Sequence, residues 1–247
     1  MYRELIPALA GEFHVIAPDY PGFGQSSAPN ANGFGYTFDH LAEVMESFVK
    51  QVGCTRFALF MQDYGGPVGL RLAAKHPEWV KALLVQNANA YAAGINLKTF
   101  APMQPFWANR TAETEAPVRS FLTLETTKFQ YTHGTRNPET ISPDNWTHDQ
   151  PLLDRPGNDR IQLALLHDYQ NNPPRYAEWQ AYFRKHQPPT LITWGRNDPF
   201  FTEAGARAYL KDLPGAELHL FETGHFALEE DGPVIASLAR DFLKRHL

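Results

Sequence analysis

The sequence predicts an α/β protein: a mostly parallel sheet with helices on both faces and a helical insertion. Three observations carry that expectation. Short apolar runs read as buried strands, helical patterns alternate with them, and one strand ends in a tight turn bearing a single reactive carboxylate. The runs are Phe13–Ala17, Arg56–Met61, Ala82–Gln86, Thr190–Trp194 and Glu217–Phe221. Apolar residues recur at helical spacing over His40–Val52, Pro67–His76, Glu203–Leu213 and Pro233–Arg245. Strands joined through helices need crossover connections, so neighbouring strands run parallel and both sheet faces are covered.

Between residues 90 and 188 this rhythm stops. The stretch holds Trp107, Trp146 and Trp179, several tyrosines and turn-rich pieces such as Arg136-Asn137-Pro138. Residues 1–89 and 189–247 are therefore expected to form one core, and residues 90–188 a mostly helical insertion. A second independent domain is the alternative; the strand pattern resuming at Thr190 speaks against it.

Composition narrows the partners. Hydrophobic residues make up 43% and charged residues 20%, ordinary values for a globular chain of 247 residues. A net charge of −5 offers no basic face for nucleic acid, which points to a small-molecule partner. Aromatic residues, at 13%, suit an apolar pocket. Cys54 is the one cysteine, which excludes an intramolecular disulfide and fits a reducing compartment. No secretory signal and no run approaching about 18 apolar residues is visible, so a soluble, cytoplasmic protein without membrane contact is expected.

The reactive turn is Phe57-Ala58-Leu59-Phe60-Met61-Gln62-Asp63-Tyr64-Gly65-Gly66. An apolar strand ends at Asp63, and a helical pattern begins just beyond the glycine pair. Such a nucleophile elbow holds one side chain clear of the backbone, with a helix N-terminus behind it to favour developing negative charge. A carboxylate at the tip points to an ester formed on the enzyme's own Asp63. Asp198, in Trp194-Gly195-Arg196-Asn197-Asp198-Pro199, and His225, in Glu222-Thr223-Gly224-His225-Phe226, each follow a strand. All three project from the same sheet edge, in the chain order nucleophile, acid, histidine.

Taken singly, Asp63 could cap a helix, Asp198 could serve a turn before Pro199, and His225 could be a packed histidine. Three such residues at three strand ends are harder to explain that way. No histidine or cysteine spacing matches a metal site, and Gly22-Phe23-Gly24 lacks the third glycine of a dinucleotide fingerprint. His133, His148 and His167 fall in the insertion and read as solvated polar residues. Neither a cofactor nor a metal is expected.

With these motifs in place the chain resembles the α/β-hydrolase superfamily, in its branch of epoxide hydrolases and haloalkane dehalogenases. The matching segments are Val15 to Ser26, Gln62-Asp63-Tyr64-Gly65-Gly66, Trp194-Gly195-Arg196-Asn197-Asp198 and Gly224-His225-Phe226. The resemblance implies an α/β-hydrolase fold whose insertion is a helical cap. It also implies a two-step reaction: Asp63 attacks an electrophilic carbon to form an alkyl-enzyme ester, and His225, oriented by Asp198, activates water to cleave it. The backbone N–H of Tyr64 would be one oxyanion donor. Tyr131 and Tyr169 fall near the cap tyrosines that protonate the ring oxygen in epoxide hydrolases.

The match departs from the family in three places. Met61 stands two before the nucleophile, where esterase elbows carry glycine. Tyr64 stands where dehalogenases usually place the Trp that binds halide, which favours the epoxide reading over the dehalogenase one. Met1–Ala10 resembles the helix that follows the family's His-Gly-x-Pro loop, so the loop's oxyanion donor is missing and weak activity is expected. The strands at Phe13–Ala17 and Arg56–Met61 would then pair directly, accept a strand from another chain, or leave backbone groups unsatisfied. An exposed sheet edge makes a homodimer plausible. A carboxylesterase fits less well, and a ligand-binding protein without turnover is the alternative from another class.

Overall fold

Residues 1–247 are described throughout by a computed structural model. The chain runs α1 (Leu5–Ala10), α2 (Ala31–Phe34), α3 (Phe38–Gln51), β1 (Phe57–Gln62), α4 (Gly65–Lys75) and β2 (Val80–Gln86). The next six helices are α5 (Met103–Ala108), α6 (Ala112–Val118), α7 (Leu124–Thr132), α8 (Asp144–Leu153), α9 (Asn158–Asp168) and α10 (Tyr176–His186). The chain then returns to the sheet with β3 (Thr190–Gly195), α11 (Glu203–Asp212), β4 (Glu217–Phe221) and α12 (Ala227–His246).

The four strands form one sheet in the order β1-β2-β3-β4, and every pair is parallel. Alternation along β2 explains the two cores. Leu83 and Val85 point into the larger one, with Met61, Ile192 and Trp194 from the other strands and Leu41, Leu70, Trp179 and Tyr209 from the helices. Ala82 and Leu84 point the other way, against Leu5 and Leu9 of α1 and Ile235, Ala239 and Phe242 of α12. Helices α3, α4, α10 and α11 thus cover one face, and α1 and α12 the other. Both faces are covered by helices, as parallel sheets require.

One expected strand is absent. Phe13–Ala17 belongs to no ladder, and the backbone of residues 14–18 makes no hydrogen bond to other backbone groups. An apolar run becomes a strand only where a partner edge lies about 5 Å away. Here the neighbouring edge, that of β1, stands across an apolar gap, and Ile16 remains 37% exposed. The two segments therefore do not pair directly, and β1 is an edge strand. A smaller correction concerns the last helix, which starts at Ala227, well before Pro233, and bends at Asp231 where the ring would otherwise clash. No helix is long and apolar enough to cross a membrane.

Candidate active site

The strand-to-helix turn after β1 holds Asp63 at φ 45, a left-handed conformation that Asp tolerates better than most residues. The turn is tight because α4 lies close on the sheet. A Cβ on Gly69 would meet Met61 Sδ at 2.7 Å and Leu59 at 2.9 Å. The small residue that esterase elbows carry two before the nucleophile is here supplied by the facing helix, so Met61 fits, fully buried.

The structure brings Asp63, Asp198 and His225 together. His225 is buried; its Nε2 lies 2.9 Å from Asp63 Oδ2 and its Nδ1–H donates to Asp198 Oδ2 at 2.8 Å. Asp63 keeps a 29% exposed side chain, open to the cavity, whereas Asp198 is enclosed. Burial alone would push His225 down. The carboxylates of Asp198 and then Asp63 outweigh it and hold the imidazole up at about 10.

Two further residues of the site, Asn87 and Gln62, are given no role by the sequence. Asn87, at the end of β2 and also left-handed (φ 41), donates from Nδ2 to Asp198 Oδ2 at 2.7 Å. The same amide pairs with both backbone groups of Gly195, donating to its carbonyl at 3.1 Å and accepting from its N–H at 2.9 Å. Asp198 Oδ1 accepts from the N–H groups of Phe200 and Phe201 at 2.7 and 3.1 Å. With His225 on Oδ2, this carboxylate has four donors, so its orientation is fixed from both sides. Gln62, just before Asp63, places its amide Nε2 3.0 Å from His225 Nε2. A polar residue closing an apolar strand was the one sequence signal for either amide.

The loops carrying Asp198 and His225 lie backbone to backbone. A Cβ on Gly195 would collide with the carbonyl of Gly224, and one on Gly224 with the carbonyl of His133. Asn197 Nδ2 donates to the Gly134 carbonyl at 3.0 Å. The turn after α7 is thereby seated on both loops.

A cavity of about 1170 Å³ runs from the gap beside β1 to Asp63 and Tyr64, and 39 of its 57 lining residues are hydrophobic. Phe100, Trp107, Tyr169, Phe200 and Phe201 supply aromatic walls. Tyr169 stacks on Phe100 at 5.6 Å and on Trp107 at 6.3 Å. Burial, with Tyr176 and the Asp63 charge adding to it, raises the Tyr169 hydroxyl well above its ordinary value. Tyr131 lines the same cavity, but its hydroxyl donates to Asp149 Oδ2 at 2.5 Å while its ring packs on Phe226. Tyr64 heads α4 and turns its ring onto Phe38, leaving its backbone N–H at the positive end of that helix. Chemically, the arrangement offers a carboxylate nucleophile, a histidine base oriented by a second carboxylate, and a neutral phenol in an apolar cavity.

Known proteins share this fold. The family described as having the alpha/beta hydrolase fold matches residues 1–232. An uncharacterized hydrolase of Saccharomyces cerevisiae is 38% identical over 239 residues, covering 96% of this chain and 82% of its own. A haloalkane dehalogenase of Mycobacterium marinum is 28% identical over 245 residues, covering 96% and 77%. Among solved structures, the epoxide hydrolase CorEH superposes with a TM-score of 0.79 at 19% identity, covering 99% of this chain and 86% of that one. With a parallel sheet, helices on both faces and relatives that are hydrolases and dehalogenases, the chain belongs to the α/β-hydrolase fold family and is an enzyme of the hydrolase type.

Proposed function

We propose that the protein hydrolyses small apolar epoxides, with Asp63 as nucleophile, through an alkyl-enzyme ester. One observation carries the reading: a carboxylate at the elbow tip lies 2.9 Å from the free ring nitrogen of a histidine held by Asp198. A carboxylate attacking an acyl carbon would give a mixed anhydride, whereas at a saturated carbon it gives an ester that water can cleave.

In the first step an Asp63 oxygen bonds to the ring carbon as the carbon–oxygen bond opens, and the freed oxygen takes the proton of Tyr169. The Tyr169 hydroxyl is neutral and so carries the proton to be given, although burial makes it a weaker acid than a free phenol. Esterification removes the Asp63 charge, and with it one of the two carboxylates that hold His225 protonated, so the imidazolium gives its Nε2 proton to the Tyr169 phenolate. His225 then takes a proton from water, whose oxygen attacks the ester carbonyl, with the Tyr64 N–H as one donor to the oxyanion. Collapse frees the diol and the Asp63 carboxylate. One water proton ends on the second hydroxyl, and the other stays on His225, restoring the imidazolium opposite Asp63.

Haloalkane dehalogenation is the second reading, favoured by the dehalogenase among the relatives. Against it, the indole N–H of Trp107 is given to the Leu166 carbonyl at 2.8 Å and that of Trp194 to the Phe201 carbonyl at 3.0 Å. A departing halide would need another donor. The test is the intact mass of His225→Gln after incubation with styrene oxide or with 1-bromobutane. An adduct from styrene oxide on the peptide holding Asp63 is expected. Alkylation by 1-bromobutane alone would select the second reading, and no adduct from either, in folded protein, would remove Asp63 as nucleophile.

A further inference from the structure

His225 Nε2 faces two partners that demand opposite protonation states. Asp63 Oδ2, at 2.9 Å, can only accept, so it needs a proton on Nε2. The Gln62 amide nitrogen, at 3.0 Å, can only donate, so it needs a lone pair there. A second contact favours that orientation of the amide: the same nitrogen lies 3.5 Å from the His225 backbone carbonyl, which can only accept. Asp198 takes the Nδ1 proton in both states. The remaining faces of the ring are covered by Phe200, Phe201 and Phe226, so Asp63 and Asp198 are the only charged groups acting on it.

We propose that Gln62 is a positioning residue that holds His225 as a base: its amide donates to the bare Nε2 whenever Asp63 carries no charge, and yields that site to Asp63 when the charge returns. The inference rests on the ester reading, because esterification is what discharges Asp63. In the free enzyme the imidazolium is paired with Asp63. Once the ester forms, Asp198 still holds Nδ1, but Nε2 has lost its charged partner and only the Gln62 amide remains opposite it. Gln62 keeps Nε2 aimed at the ester and unprotonated until water replaces the amide as the donor. Its place one residue before the nucleophile, at the end of β1, ties both partners of Nε2 to one rigid strand.

The test begins without substrate. Asp63→Gly removes the carboxylate and suits a backbone at φ 45. In that background the ¹⁵N shifts of the His225 ring, assigned by their loss in His225→Gln, report both tautomer and titration midpoint. Adding Gln62→Met, or Gln62→Leu should the first not fold, removes a donor to the neutral form. The midpoint should rise by about one pH unit, roughly a tenfold gain in proton affinity. A midpoint that stays or falls overturns the proposal, whatever the fate of the ester reading. If the mass experiment has shown the ester, its breakdown gives a second readout. Gln62→Met should move the rising limb of the rate about one unit to higher pH, and an unmoved limb overturns the role.

Discussion

At the scale of single residues, charge sets the behaviour of the site. His225 titrates in the folded protein at about 10, above its ordinary value of 6.5, so the stabilisation it gains from the two carboxylates is complete below pH 6.5 and is lost as pH rises toward 10. Asp63→Asn removes one of those carboxylates. The melting temperature of the native protein should therefore exceed that of Asp63→Asn by more at about pH 6 than at about pH 10. A gap that widens with pH would contradict the pairing of Asp63 with His225. Asp63, Asp198 and His225 were legible because strand ends and turns mark where a parallel sheet presents its chemistry. The roles of Gln62 and Asn87 were not, although Gln62 opens the matched segment around Asp63. Amides carry no spacing rule, and their roles arise only when β1, β2 and the loop after β3 are laid side by side.

Among the elements, α3 and α4 are stitched together by one carboxylate. Glu46 accepts from Lys50 at 2.6 Å on its own helix, from Lys75 at 2.5 Å at the end of α4, and from His76 at 3.0 Å just beyond it. The lysines and the histidine together hold Glu46 down at about 2. A depressed carboxyl contributes above its unfolded value and loses that contribution as pH falls. Both lysine side chains are more than half exposed, so solvent screens the network and Glu46→Gln should cost only about 1 kcal/mol at neutral pH. That cost should vanish between pH 4.5 and about 2, as followed by urea denaturation. A cost that persists at low pH would mean packing, not charge, joins the two helices. The four paired strands could be placed from apolar runs to within a residue or two, because helices cover the sheet on both faces, although the edge strands β1 and β4 are only half-buried. Phe13–Ala17 has the same composition and no ladder: pattern reports a residue's taste for a strand, whereas pairing depends on what stands next to it.

For the molecule as a whole, the helices between β2 and β3 make the cavity as well as covering it. Trp107, Leu166 and Tyr169 come from that stretch, while Asp63, Tyr64 and Phe200 come from the sheet side. Substrate size is therefore set where two structural layers meet, and no local window of sequence describes that shape. The outer flank of β1 has a consequence of a different kind. Phe57 and Asp63 give their amide protons to the carbonyls of Trp79 and Asn87 at 2.9 and 3.3 Å, which fixes the parity of the strand. Ala58, Phe60 and Gln62 then direct theirs away from the sheet. In deuterated water these three amides should trade their protons orders of magnitude sooner than those of Leu59 and Met61, read residue by residue by NMR. One strand would thus keep two clocks, a fast one on its open flank and a slow one on its bonded flank, and anything that came to lie along the open flank would bring the two into step.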